Sequence, residues 1–126
     1  MYAAHHKLDN LTLFIDVNGL QIDGATKDVM SAEPIDKKFE AFGFNVIKID
    51  AHNVVEIDDA IQNAKLTKGK PTAIICASVK GKGVSYMENN VSWHGAAPNT
   101  ELYEIAIKEL NQKIKELEVQ INGWYN

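Results

Sequence analysis

Three short apolar runs, separated by segments with helical periodicity, constrain this fold most strongly. They are Leu11-Thr12-Leu13-Phe14-Ile15, residues 44–49 (Phe-Asn-Val-Ile-Lys-Ile) and residues 72–77 (Thr-Ala-Ile-Ile-Cys-Ala). Runs this short and rich in Ile and Val are strands buried on both faces, the signature of a parallel sheet with crossovers. The first crossover helix is expected at about 34–42, with Ser31 near its start, Pro34 in its first turn and Gly43 as its stop. Ile35, Phe39 and Phe42 repeat at helical spacing along it. The second crossover starts at Asn53, with Glu56 three residues on as a capping-box partner. Val54, Ile57, Ile61 and Ala64 mark its apolar face and Gly69 ends the unit. The expected fold is therefore α/β, three-layer, with a mostly parallel sheet and right-handed crossover helices over about 11–77.

Residues 78–98 carry no period. Gly81, Gly83 and Gly95 interrupt the stretch and Pro98 closes it. Structureless loops of this length in compact domains are functional or disordered. Asn99 or Thr100 then caps a long amphipathic helix expected over about 100–121, with Gly123 as its stop and Trp124 and Tyr125 at the tail. Tyr103, Ile107, Leu110, Ile114, Leu117 and Ile121 form an apolar seam at alternating spacings of four and three. Packing on the chain's own sheet is the simplest use of that seam, and docking to a partner chain competes with it. Glu104–Lys108 and Glu109–Lys113 are expected to pair across one turn.

At 126 residues the chain is a single domain at most. Its net charge of −4 and lack of a basic cluster argue against a nucleic-acid surface. They leave a diphosphate ligand open, because helix amino termini and a metal hold phosphates without Lys or Arg. No apolar run approaches the ~20 residues needed to span a bilayer, and no signal peptide is visible. A cytoplasmic protein is the expectation. Cys76, the only cysteine, lies mid-strand and reads as a small core hydrophobe.

Chemistry concentrates in two places. Asp16-Val17-Asn18-Gly19-Leu20-Gln21-Ile22-Asp23-Gly24 follows the first strand, at the carboxyl end where open α/β sheets bind ligands. Asn18 offers a neutral hard oxygen and Gly19 lets the backbone turn, which suits Mg²⁺ shared with a diphosphate. Trp93-His94-Gly95 sets a histidine of near-neutral pKa in a loop, where it can move protons. Lys80-Gly81-Lys82-Gly83 is no Walker A motif, so kinase readings fail. His5 and His6 are adjacent and point about 100° apart on a helix, which prevents joint chelation, and His52 precedes a cap as a structural residue.

These phrases resemble transketolases. Asp16 to Gly24 is similar to the second half of their thiamine diphosphate fingerprint. The likeness continues through Phe42-Gly43-Phe44, Gly69-Lys70-Pro71-Thr72, Lys80-Gly81-Lys82-Gly83-Val84-Ser85 and Glu88-Asn89-Asn90-Val91-Ser92-Trp93-His94-Gly95, over roughly residues 1–120. Ser85-Tyr86-Met87-Glu88-Asn89-Asn90 ahead of Trp93-His94-Gly95 is most like the amino-terminal subunit of split, two-gene transketolases. The resemblance implies a partial thiamine diphosphate-binding fold and transfer of a two-carbon ketol unit from a ketose phosphate to an aldose phosphate, as in the pentose phosphate pathway. It implies thiamine diphosphate with Mg²⁺ (or Ca²⁺ or Mn²⁺) as cofactors. Asn18 would give its side-chain oxygen and Leu20 its main-chain carbonyl to the metal, while Ile22 would pack on the thiazolium ring. Asp16 would be structural. His94 would contact the diphosphate and assist proton movement at the substrate. A carboxyl-terminal transketolase subunit, sugar phosphates and a second copy are the implied partners.

The family's upstream Gly-Asp-Gly is absent from these 126 residues. By resemblance the chain begins inside the domain, as an apparently truncated piece expected to be inactive alone. A non-catalytic folding or interaction module is the alternative from another class, and a deoxyxylulose-phosphate type synthase the alternative enzyme. Gly-Leu-Gln-Ile-Asp-Gly and Trp-His-Gly favour transketolase over that synthase.

Overall fold

The computed structural model describes residues 1–124; Tyr125, expected at the aromatic tail, lies outside the described residues. Two compact units follow one another, Met1–Ser78 and the segment from Val79 onward. The first contains α1 (Tyr2–His5), β1 (Thr12–Val17), β2 (Leu20–Gln21), β3 (Gly24–Ala25), α2 (Thr26–Val29), α3 (Ile35–Ala41), β4 (Asn45–Asp50), α4 (Val54–Leu66) and β5 (Thr72–Ala77). The second contains a single 3-10 turn, Val91–Trp93, and α5 (Thr100–Trp124).

The three apolar runs form one parallel sheet in the order β1-β5-β4, with Thr12 and Asn45 both aligned on Thr72. The last strand in sequence thus takes the centre, and its residues are the most buried in the chain. Successive strand residues face opposite sides. Lys48 reaches Asp36 of α3 on one side, while Ile49 packs with Ala60 of α4, Ile74 and Cys76 on the other. The two crossover helices therefore cover opposite faces, as the expected three-layer arrangement requires. Cys76 is buried and burial raises its thiol pKa, in keeping with a core role.

Asn53 caps α4 by accepting hydrogen bonds from the amides of Val55 (3.1 Å) and Glu56 (3.4 Å). The reciprocal half differs from a capping box: Glu56 accepts from the amide of Asp50 (2.8 Å) and from the Asn53 side chain (2.8 Å). That ties the helix start to the end of β4. Asn53→Ala removes the cap and should cost about 1 kcal/mol of stability in chemical denaturation; a loss below the error of that measurement would show that Glu56 alone suffices. Two apolar assignments shift. Val54 is exposed and Ala60 takes its place on the buried face. Phe42 is half exposed as the C-cap of α3, and Phe44 instead packs its ring edge against Phe39, centroids 5.2 Å apart. Gly43 stops α3 as expected, at a φ of +89°.

In the second unit Asn99 caps α5, its side chain accepting from the amide of Leu102 (2.9 Å). The helix runs through Gly123 to Trp124, so Gly123 does not stop it. A glycine ends a helix only where the chain can gain by turning left-handed; inside a helix it merely costs about 1 kcal/mol. Neither expected i,i+4 ion pair closes among the described residues. Glu109 is engaged by Ser85, and Lys113 turns to Glu116 at 3.5 Å. The seam does not pack either. From Tyr103 to Ile121 its six side chains remain between 38% and 56% exposed, while the neighbouring stripe of Leu102, Ala106 and Glu109 is the covered one. No described helix is long and apolar enough to cross a membrane.

Candidate functional site

β1 ends at Val17, and the chain then folds into a tight hairpin in which Leu20 faces Ala25 and Gln21 faces Gly24. Ile22 and Asp23 form its two-residue tip. The hairpin is closed by Thr26, whose amide donates to the carbonyl of Gly19 at 2.9 Å. Gly19 adopts a φ of +75°, a conformation that costs other residues about 1–2 kcal/mol. Asn18 sits at the junction of strand and hairpin. Its Oδ1 accepts from the amide of Leu20 at 2.9 Å, and its Nδ2 donates to Asp16 Oδ2 at 3.1 Å.

Asp16 is itself anchored, because the Ser78 hydroxyl donates to its Oδ1. One carboxylate thus bridges the ends of two adjacent strands and fixes which way the Asn18 amide faces. A charged acceptor can take only the NH₂ end, so the oxygen end is turned toward the hairpin. Both oxygens of Asp16 are used in this clamp, which fits a positioning role.

A cavity of about 140 Å³ lies beside the junction, lined by Asp16, Asn18, Gly19, Leu20, Thr26 and Glu33 among others. It has room for a few waters at ~30 Å³ each. That volume is of the order a divalent cation with a few waters needs. The donor set suits such a cation. The Asn18 oxygen is hard and neutral, and the Leu20 amide occupies only one of its two lone pairs. Ile22 stands at the hairpin tip as an apolar side chain 67% exposed.

His94 belongs to the second unit, where it follows the 3-10 turn as its C-cap. The loop that carries it is closely tied. Asn90 caps the turn through the amide of Ser92 (3.0 Å), and Trp93 Nε1 donates to the carbonyl of Tyr86 (3.0 Å). Tyr86 stacks obliquely on Trp93 and donates its hydroxyl to the carbonyl of Leu102 in α5 (2.8 Å). Glu109 accepts from both the amide (2.7 Å) and the hydroxyl (2.5 Å) of Ser85. The Ser85 hydroxyl, and then its amide, hold the Glu109 carboxyl below its ordinary pKa. That contribution to stability is present at neutral pH and is lost as pH falls through the lowered value. The segment expected as a bare loop is therefore a bonded frame.

Lys80 Nζ lies 3.5 Å from His94 Nδ1. A hydrogen bond here has the ammonium donating to Nδ1, the arrangement in which the imidazole proton sits on Nε2. Sequence reasoning missed both this pair and the Asp16–Ser78 link. Lys80 stood in a run read only against a Walker A motif, and Ser78 becomes visible once β5 is known to lie beside β1.

A parallel sheet with an oxygen-bearing turn at the end of an edge strand, followed by a histidine held in a bonded loop, has the make-up of a ligand-binding α/β domain. Residues 1–118 match the family described as transketolase, thiamine diphosphate binding domain, and the chain belongs to that family. It is 40% identical over 98% of its length to one of the apulose-4-phosphate transketolase subunits of Phocaeicola vulgatus, covering 44% of that protein. It is 39% identical over 90% of its length to the 6-deoxy-6-sulfo-D-fructose transketolase subunit SqwG of a Clostridium species, covering 41% of it. The chain thus spans less than half the length of these curated relatives. Among solved structures, transketolase from Campylobacter jejuni superposes with a TM-score of 0.81 at 34% identity, over 87% of this chain and 17% of that one.

Proposed function

We propose that this chain supplies the metal–diphosphate side of a transketolase active site, in which a two-carbon ketol unit passes from a ketose phosphate to an aldose phosphate. The observation that supports it most is the clamped Asn18 oxygen at the carboxyl end of β1, beside the exposed Ile22. In this reading Asn18 Oδ1 and the main-chain carbonyl of Leu20 bind Mg²⁺, with Ca²⁺ or Mn²⁺ as substitutes. Asp16 and Ser78 hold the amide in the binding orientation. Ile22 presents an apolar wall to the thiazolium ring. When bound, thiamine diphosphate would supply the carbanion chemistry of ketol transfer.

His94 acts through its Nε2 proton. With Nδ1 occupied by Lys80, the imidazole offers a neutral donor to an anionic phosphate or hydroxyl oxygen. Lys80 adds a positive charge beside that anion. A carboxyl-terminal companion subunit supplies further groups of the site, a reading supported by the relatives' names, which describe subunits. The chain alone is expected to bind the cofactor weakly and to turn over nothing.

The test is reconstitution with a companion subunit, Mg²⁺ and thiamine diphosphate, with ketol transfer between sugar phosphates as the readout. His94→Ala should lower kcat by about 10²-fold, in the range general acid–base groups contribute, while leaving the thermal midpoint within a degree or two. A variant that keeps full turnover but melts earlier assigns His94 to loop structure only. Absence of ketol transfer in every combination sinks the reading.

A further inference from the structure

We propose that the distal half of α5 forms a parallel, in-register two-stranded coiled coil with a second copy of this chain. From Asn111 to Ile121 every helical residue is exposed. A helix with no packed face is marginal in water, so this stretch gains most of its stability from whatever covers it. The seam itself states which partner fits. Counting Ile107 as position a, the a positions are Ile107, Ile114 and Ile121 and the d positions are Leu110 and Leu117. Ile at a with Leu at d is the combination that favours two parallel strands.

Charge complementarity selects a second copy and a direction. Lys113 occupies the g position, and the e′ position five residues on is Glu118. In a parallel, in-register pair each Lys113 therefore meets Glu118 of the second copy, twice by symmetry. An antiparallel pair would set e against e and g against g, so Lys113 at g could not meet Glu118 at e. Lys113 is 67% exposed and its present contact, Glu116 at 3.5 Å, lies on the same helix one turn on, so it can reach outward as well. Ala106, at the preceding g position, is buried. That confines the coil to Ile107–Ile121, about 21 Å of helix, and makes association weak and dependent on concentration. This surface is separate from the proposed cofactor residues, so it stands or falls independently of them.

Sedimentation equilibrium of the 126-residue chain over a wide concentration range tests the proposal. A reversible monomer–dimer equilibrium is expected. Leu117→Glu, at a side chain already exposed in the monomer, should abolish the dimer without altering circular dichroism of the sheet. Lys113→Glu and Glu118→Lys should each weaken it on the order of tenfold, since two attractive pairs become repulsive. Mixing those two variants should restore association, because each then offers the charge the other lacks. Ile114→Cys, with Cys76→Ala, should form a symmetric disulfide on mild oxidation. A chain that stays monomeric throughout, a dimer indifferent to Leu117→Glu, or charge variants that fail to rescue one another would each overturn the proposal.

Discussion

Asn18→Ala in the assembled enzyme is expected to weaken combined Mg²⁺ and thiamine diphosphate binding by at least tenfold and up to about 100-fold. The loss of one hard oxygen leaves an octahedral ion to be completed by water, which neither orients the diphosphate nor neutralises it as well. Activity should return in part at high concentrations of metal and cofactor, because the defect is in binding. Asp16→Ala probes the clamp behind the ligand. Asn18 would keep its oxygen but lose the charged acceptor at 3.1 Å that sets its orientation, so a smaller drop of the same kind should follow. Calorimetric titration of both variants separates the roles. Wild-type affinity in Asn18→Ala would take this residue out of the metal site, and an Asp16→Ala defect larger than that of Asn18→Ala would make Asp16 the ligand.

The second large effect concerns Gly81. Its φ is +73°, and a Cβ there would lie 2.5 Å from the carbonyl oxygen of Met87 and 2.7 Å from its carbonyl carbon. That backbone cannot retreat easily, because the Met87 carbonyl accepts from Asn90 and the Met87 amide donates to Val84. Gly81→Ala therefore combines a left-handed backbone with a clash against fixed atoms, and a cost of roughly 3 kcal/mol or more is expected. Gly69→Ala is the matched control: its φ is +74°, with nothing within 4 Å of the added atom. Backbone strain alone should cost it about 1 kcal/mol. Thermal unfolding with limited proteolysis of residues 79–98 compares the two. Equal losses would mean that the loop yields freely and is no frame for His94.

The buried strands were the most legible part of the sequence, since burial on both faces leaves an apolar run. Thr72–Ala77, the central strand, matches its run residue for residue. β1 continues past its run to Val17, because Asp16 on an edge strand can be polar without cost and so disguises the strand's length. The β2–β3 hairpin and α2 went unseen, because both are too short to show a period. Asn18 could be singled out from the motif it closes, whereas its orientation depends on Ser78, sixty positions further on. Residues 79–98 carried no readable pattern because side chains bonded to backbone, such as Trp93 to Tyr86 and Ser85 to Glu109, hold them in place of a repeat. The seam of α5 was visible in full, but exposure is a property of neighbours and no period records it.

The strand order β1-β5-β4 also governs the timing of assembly. Among the described residues β1 and β4 are not partners; each pairs with β5, the last of the three to be synthesised. Until residue 77 is available, neither earlier strand can form its ladder with β5. The β1–β5 pairing spans a sixty-residue separation, as in Thr12 with Thr72, and such distant pairings pay their loop-closure entropy before any contact compensates it. Both of these ladders therefore wait on the same strand, and they close together rather than in turn.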